Sequence, residues 1–505
     1  MLTNAEDGKV KPACVTAESP QCGLKKELGA GEFFTLSFAA IVGIGWIVVL
    51  GDWLRGGGPL GAIIAFLMAG AVMMLVGLCY AEIATTIPAS GGEIAYAYEV
   101  FGLRTSFVSG WFLALVWISA TSFEAISTGW IAGIIFPALR GTLVYSVRGA
   151  PVMSGSLTIS LTGTAFLTAL NYRGMKGSGR FQDVFTWTKI VISVLLVTVG
   201  IIWGSTRDLH PFFAKPAGDT DRWTGMLSVL VTAPFWLAGF NAVAQVMPEK
   251  EQQTSYRRVA FALLASIAAA SIFYALLILS CSMAMPWIQL TRLEFPAVGA
   301  FEAALHSILL AKMVLLSALL GLLATWNSVF VASSRVLYAL GRARMIHPRF
   351  GTVHYQFGAP TFSILFVGVL SAAGILLGRS ALLPIVSMDS SCFMLMYVIV
   401  CVSVIKLRKT DPTRPRPYSV PGGSATAVTA TLASAYMLVE SFYLPYASNA
   451  RHIPLEWMLF LGWAVVGVLF WAISNSGRDS ISESQRRLLV LGDGTIQRCP
   501  ANDIP

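Results

Sequence analysis

The chain has 505 residues, 55% of them hydrophobic and only 12% charged, with a mean hydropathy of +0.69 and a formal net charge of +9. A soluble domain carries about 25% charged residues, so half that share, with the apolar residues in long unbroken runs, excludes a soluble globular protein. The positive balance is segregated by loop, which excludes a nucleic-acid footprint and reads as membrane topology.

Residues 1–30 are polar and carry no apolar core of a signal peptide, and the expectation is an uncleaved cytoplasmic tail of low order. Twelve spans follow, at Phe33–Leu54, Pro59–Thr86, Phe107–Pro137, Val152–Leu170, Phe185–Gly204, Met226–Met247, Val259–Met285, Leu305–Leu340, Thr361–Leu377, Leu382–Ile405, Ala425–Tyr446 and Trp457–Ser474. The segment 31–475 forms one transmembrane domain, and 476–505 a second polar tail, again expected to be of low order. With both termini and the loops after even spans on one side, that side holds 24 of the 35 Lys and Arg, counting Arg335 near the inner end of span 8, and the other nine, Lys189 and Lys312 lying within spans. The positive-inside rule places both termini in the cytoplasm of a multi-pass cell-membrane protein.

The first span carries Gly43-Ile44-Gly45 near its middle, followed by Trp46. Each glycine weakens a helix by about 1 kcal/mol relative to alanine. The pair reads either as a packing stripe for a neighbouring helix or as a break. Five spans on, "TAPFWLAGFNAVAQVMPEK" (Thr232–Lys250) holds Pro234, Gly239-Phe240-Asn241 and Pro248, all poor helix formers. Matched weak points in spans 1 and 6 favour breaks, and predict a five-plus-five inverted repeat with two further C-terminal helices.

A helix broken in mid-membrane exposes N–H groups at the start of its second half and C=O groups at the end of its first. The former suit a carboxylate and the latter an ammonium, so one unwound segment grips both ends of an α-amino acid without a charged side chain.

Ionisable residues inside spans are functional hypotheses. Glu124 lies near the middle of span 3 and Lys189 in span 5; Glu82 and Lys312 lie near span ends. Lys312 is placed to snorkel to the interface. Glu124 must pair at its depth, whether with Lys189, a basic substrate group or cavity water. The seven cysteines and five histidines are scattered, with no disulfide framework or metal-ligand spacing, so no cofactor or metal is expected. No HExxH or GxSxG occurs, and the chain is not expected to be an enzyme.

Four stretches carry a family resemblance: Gly-Ile-Gly in span 1, "YAEIATTIPASGGEIAYAYEVFG" (Tyr80–Gly102), "GFNAVAQVMPE" (Gly239–Glu249) and "SSRVLYALGRARMIHPRFG" (Ser333–Gly351). "RPYSVPGG" before span 11 adds to them. The chain resembles a permease of the amino acid–polyamine–organocation superfamily over nearly all of Gly31–Ser474. It departs from the family in lacking an Asn-Pro-x-Arg-x-Ile-Pro run after Glu249 and in placing bulky Trp46 behind the second glycine.

The resemblance implies an all-α transporter with broken helices 1 and 6, working by alternating access. It implies substrate contact at Val42, Gly43, Ile44, Gly45 and Trp46 in span 1 and at Ala238, Gly239, Phe240 and Asn241 in span 6. Phe235 and Trp236 stand as gate or pocket wall, alternatively as core- or lipid-facing rings. The resemblance also implies a gate or helix-end role for Glu82, and makes Lys189 an internal cation in place of sodium. Proton symport of an amino acid or related amine, with Lys189 and Glu124 in coupling, is the leading expectation. Substrate/product exchange and, from another class, a nutrient receptor are the alternatives, and either a monomer or a homodimer fits.

Overall fold

The computed structural model describes residues 28–43, 45–89, 91–173, 191, 194–195, 197–214, 222–245, 247, 250–293, 295–305, 308–448 and 453–491. Nearly everything described is helix. Seven described helices are long and apolar enough to cross a membrane, and Ala30–Ile41, Trp223–Leu237 and Thr361–Ile375 are shorter apolar helices. This is a polytopic α-helical membrane protein, since only helices and closed barrels satisfy their backbones within lipid. Residues 185–190, 192, 193 and 196 of the predicted span 5 lie outside the described residues.

The predicted span 1 is divided. Helix α1 (Ala30–Ile41) stops where Val42 leaves helical geometry at φ −83°, ψ 84°, its amide still donating to the Phe38 carbonyl. Helix α2 (Trp46–Thr86) starts afresh with Gly45 as its N-cap. It contains a kink at Gly58 (φ 68°, ψ 177°), followed by Pro59, which separates the end of span 1 from span 2. A Cβ on Gly58 would sit 2.4 Å from the Ala214 amide nitrogen, so only glycine admits this approach. The segment at 212–214 in turn supplies hydrogen bonds to the kink, from the Leu60 amide to the Phe212 carbonyl and from the Ala214 amide to the Gly57 carbonyl.

Short helix α3 (Glu93–Phe101) follows the Ile87–Gly92 turn and leads through Gly102 into the long α4 (Leu103–Ile135). Between α4 and α5 (Ser154–Tyr172) lies an antiparallel hairpin that the sequence reading did not foresee, β1 (Leu143–Val147) paired with β2 (Ala150–Met153). Arg148 and Gly149, both at positive φ, make its tight turn.

The predicted span 6 is also divided. Helix α6 (Arg222–Leu237) ends at Ala238, and the single turn α7 (Ala242–Gln245) resumes after Asn241. Pro234 sits inside α6 and has no N–H to donate. The opened turn is repaired from α13 (Leu382–Thr410): Ser390 Oγ accepts from the Phe235 amide and donates to the Thr232 carbonyl. Along the chain before α13 run α8 (Tyr256–Ala284), α9 (Trp287–Leu290), α10 (Pro296–Leu305), α11 (Ile308–Arg342) and α12 (Thr361–Ile375). After it come α14 (Ser424–Ser448), α15 (Leu455–Ile473), α16 (Asn475–Arg478) and α17 (Glu483–Leu491).

Lipid tails are as apolar as leucine, so close backbone approach and interhelical hydrogen bonds hold the bundle instead. Ser37 on α1 meets Ser266 on α8 at 2.5 Å, Oγ to Oγ. Trp111 on α4 and Trp463 on α15 stack at 4.5 Å, and each indole N–H donates to the other's carbonyl, at 2.9 and 2.8 Å.

One end of the bundle is charged. The Glu82 carboxylate, buried at the end of α2, is bound by Arg408 through Nε at 2.8 Å and again through Nη2. It also accepts from the Val420 amide at 2.7 Å and lies 3.6 Å from Arg416 Nε. "RPYSVPGG" is therefore the strap that closes over Glu82. The low order expected of the C-terminal tail is corrected for 475–491: α17 is docked with Arg486, Val490 and Leu491 buried. Tyr98 donates to Glu483, and Arg487 bonds Glu99 at 2.9 Å, so α17 clasps α3.

Candidate functional site

The two breaks face one cavity of 820 Å³. Gly43 and Gly45 line it from the first break, and Ala238, Gly239 and Asn241 from the second. Val116, Trp117, Ala120, Phe123 and Glu124 on α4 form one wall, mostly apolar, with Phe393 on α13 beside them. Thr325 and Ser328 on α11 add hydroxyls. The cavity runs along α1 as far as Glu32 and Leu28.

Its other end is closed by rings. Phe123, Phe235 and Trp236 meet with centroids 4.9–6.1 Å apart, and Trp53 stands edge-on to Trp236 at 5.4 Å. Phe235 and Trp236 both line the cavity, Trp236 buried and Phe235 half-buried.

The first break presents backbone to the cavity. A Cβ on Gly43 would meet nothing nearer than 4.0 Å, so this glycine fronts open space. A Cβ on Gly45 would meet the Trp236 ring at 2.9 Å and Phe123 at 3.2 Å. The Ile41 carbonyl, at the end of α1, accepts from the Gly43 amide at 3.0 Å and from the Tyr274 hydroxyl of α8 at 3.2 Å. Tyr274 was not singled out in the sequence, and only its remote placement on α8 brings it to this carbonyl.

The second break is braced. Gly239 adopts φ +122°, and a Cβ there would lie 2.6–2.8 Å from the backbone of Ala40 and Ile41. Asn241 Oδ1 accepts from the Gly239 amide at 3.2 Å, while its Nδ2 donates to Glu93 Oε1 at 2.9 Å. Asn241 thus contacts the cavity with an amide already engaged on two sides.

Three of the expected contact residues are placed otherwise. Phe240 is fully buried against Tyr80 and Tyr397, at 5.3 and 5.4 Å, and does not line the cavity. Its ring is therefore not a pocket wall, because the positive-φ turn at Gly239 sends it toward α2 and α13. Val42 and Trp46 are buried in the core and also stand off the cavity. Ile44 and Lys189 lie outside the described residues.

Two buried carboxylates escaped the sequence reading. Asp389, on α13, is fully buried and accepts from Ser119 Oγ of α4 at 2.6 Å. Glu93, inside the Tyr80–Gly102 motif, accepts from both Tyr80 and Asn241. Asp389 lies inside the predicted span 10, so an inventory of charges within spans would have found it.

A helical membrane protein whose interrupted helices meet at a half-open, largely apolar cavity has the architecture of a transporter. The comparisons give the family. The amino acid permease family model matches residues 29–472, and the chain belongs to that family, within the amino acid–polyamine–organocation superfamily. The chain is 25% identical over 478 residues to a branched-chain amino acid permease of Bacillus subtilis, covering 93% of this chain and 97% of that one. It is 26% identical over 465 residues to the methylthioribose transporter of the same organism, covering 90% and 95%. Identity to that organism's aspartate-proton symporter is 24% over 434 residues, covering 84% of this chain and 81% of that one.

Proposed function

We propose that this chain is a secondary transporter that carries a neutral amino acid with an apolar side chain across the cell membrane by alternating access. The convergence of both breaks on one cavity supports this reading most directly. The exposed amides and carbonyls take the carboxylate and ammonium, and the wall of Val116, Trp117, Ala120, Phe123 and Phe393 takes the side chain. The branched-chain permease among the relatives transports a substrate of that kind.

In this reading 31–475 is the transport unit, a twelve-span inverted repeat, and both tails are cytoplasmic. The cavity, running toward the start of α1, then faces the cytoplasm, and the ring cluster at Trp53, Phe123, Phe235 and Trp236 is the closed outer gate. Coupling is to protons. Lys189 replaces a sodium ion beside the first break, and Glu124, on the cavity wall, completes the charge balance there.

The test is uptake of L-leucine into proteoliposomes under a pH gradient, a sodium gradient or neither, with and without leucine inside. Inward-directed protons alone should drive accumulation, and Lys189→Ala should abolish it. Lys189→Arg should not restore it, since guanidinium does not release its proton in this range. Accumulation driven by sodium alone would overturn the coupling, and uptake that requires internal leucine would replace symport with exchange.

A further inference from the structure

Glu93 opens helix α3, outside the long spans, yet it is 1% exposed and reaches the middle of the bundle. Its Oε1 accepts two hydrogen bonds, from Tyr80 Oη at 3.0 Å and from Asn241 Nδ2 at 2.9 Å. Asn241 is then fixed in orientation, because only its amide nitrogen can donate to a carboxylate. That orientation turns Oδ1 back to accept from the Gly239 amide at 3.2 Å. Gly239 holds the φ of +122° on which the shape of the second break depends. Tyr80, Phe240 and Tyr397 wall one side of this group with rings 5.3–5.9 Å apart, while Asn241 fronts the cavity on the other.

We propose that Glu93 is a positioning residue for the substrate site. Acting through Asn241, it sets the backbone of the second break from a helix that touches no substrate. The inference rests on the transport reading only for its effect on substrate; the Glu93–Asn241–Gly239 relay itself does not. It also gives α3 two ends with different tasks. Glu93 holds the break, while Tyr98 and Glu99 are held by Glu483, Arg487 and Arg414 at the end of the bundle.

The relay makes a reciprocal demand on the two side chains. Glu93→Gln keeps an acceptor oxygen and should be tolerated. Asn241→Asp sets two carboxylates against each other with no donor between them. Combining Glu93→Gln with Asn241→Asp restores one donor and one acceptor. The amide nitrogen introduced at position 93 then takes the place of Oε1, where its two hydrogens reach the carboxylate introduced at position 241 and the Tyr80 oxygen, which turns from donor to acceptor.

Two readouts apply to the full chain in detergent: amide hydrogen exchange of a peptide spanning 237–243, without ligand, and L-leucine affinity by scintillation proximity. Asn241→Asp should speed exchange and weaken leucine binding about tenfold, the scale of one lost hydrogen bond to a charged group. The double variant should return both to within about threefold of the parent, while Glu93→Gln alone stays there. A purely structural bond would lower the melting temperature of the single variant and leave leucine affinity of the folded protein unchanged, which would overturn the proposal. So would a double variant no better than Asn241→Asp. If exchange follows the expected pattern while leucine fails to bind even the parent chain, the relay stands and the transport reading falls.

Discussion

At the first interruption, Gly43 fronts the cavity, its amide donates to the Ile41 carbonyl, and the Tyr274 hydroxyl reaches the same carbonyl at the end of α1. At the second, residues 238–241, the backbone is closed in: Gly239 abuts the α1 backbone and Asn241 ties it to Glu93. Unpaired peptide groups within lipid cost several kcal/mol each, so each break must answer for its own. The second answers with its own side chains. In the proposed transport reading, the first break, where Gly43 fronts the cavity, serves chiefly ligand recognition and the second chiefly geometry.

The largest effect should come from Gly239→Val. Its Cβ would enter the Ala40–Ile41 backbone, and a β-branched residue at φ +122° adds strain of about 1–3 kcal/mol. Thermal unfolding should show a drop of about 3 kcal/mol or more, or no recoverable folded protein.

Gly45→Leu should separate the breaks by its phenotype. The added side chain collides with the Trp236 and Phe123 rings on the cavity wall rather than with backbone, so stability should fall by about 1–3 kcal/mol, less than at Gly239, while leucine affinity falls by about a hundredfold. Equal loss of stability at Gly45 and Gly239 would erase the distinction between them.

Tyr274→Phe removes the hydroxyl from the Ile41 carbonyl without changing the ring packing against Trp53 and Phe66. A net hydrogen bond of about 1 kcal/mol predicts a change in leucine affinity of about fivefold, measured by equilibrium binding. Gly43→Ala should do least. Nothing lies within 4 Å of its Cβ except the Gly45 amide nitrogen at that limit, so affinity should stay within about threefold.

Both breaks are legible in the sequence because glycine and proline act locally: they weaken a helix wherever it packs. What depends on residues far apart in the chain is not. Phe240 turns away from the cavity because Tyr80 and Tyr397 lie on the other side, and nothing near Phe240 announces them. Glu93 and Asn241 are 148 positions apart, and a carboxylate in a motif outside the spans reads as solvated until its partner is known. The docked α17 is missed on other grounds: its polar composition suits a free tail, and the groups that hold it lie on α3 and at Ala343, whose carbonyl accepts from Arg486.

Thermal unfolding of the purified parent and Gly45→Leu chains against a panel of L-amino acids tests the central claim most directly. A ligand that binds only the folded state at a hundred times its dissociation constant stabilises it by about 2.7 kcal/mol. Apolar amino acids should raise the melting temperature of the parent, charged ones should not, and Gly45→Leu should respond to none. Stabilisation of both chains alike, or of neither by any amino acid, would contradict a substrate site built on the first break.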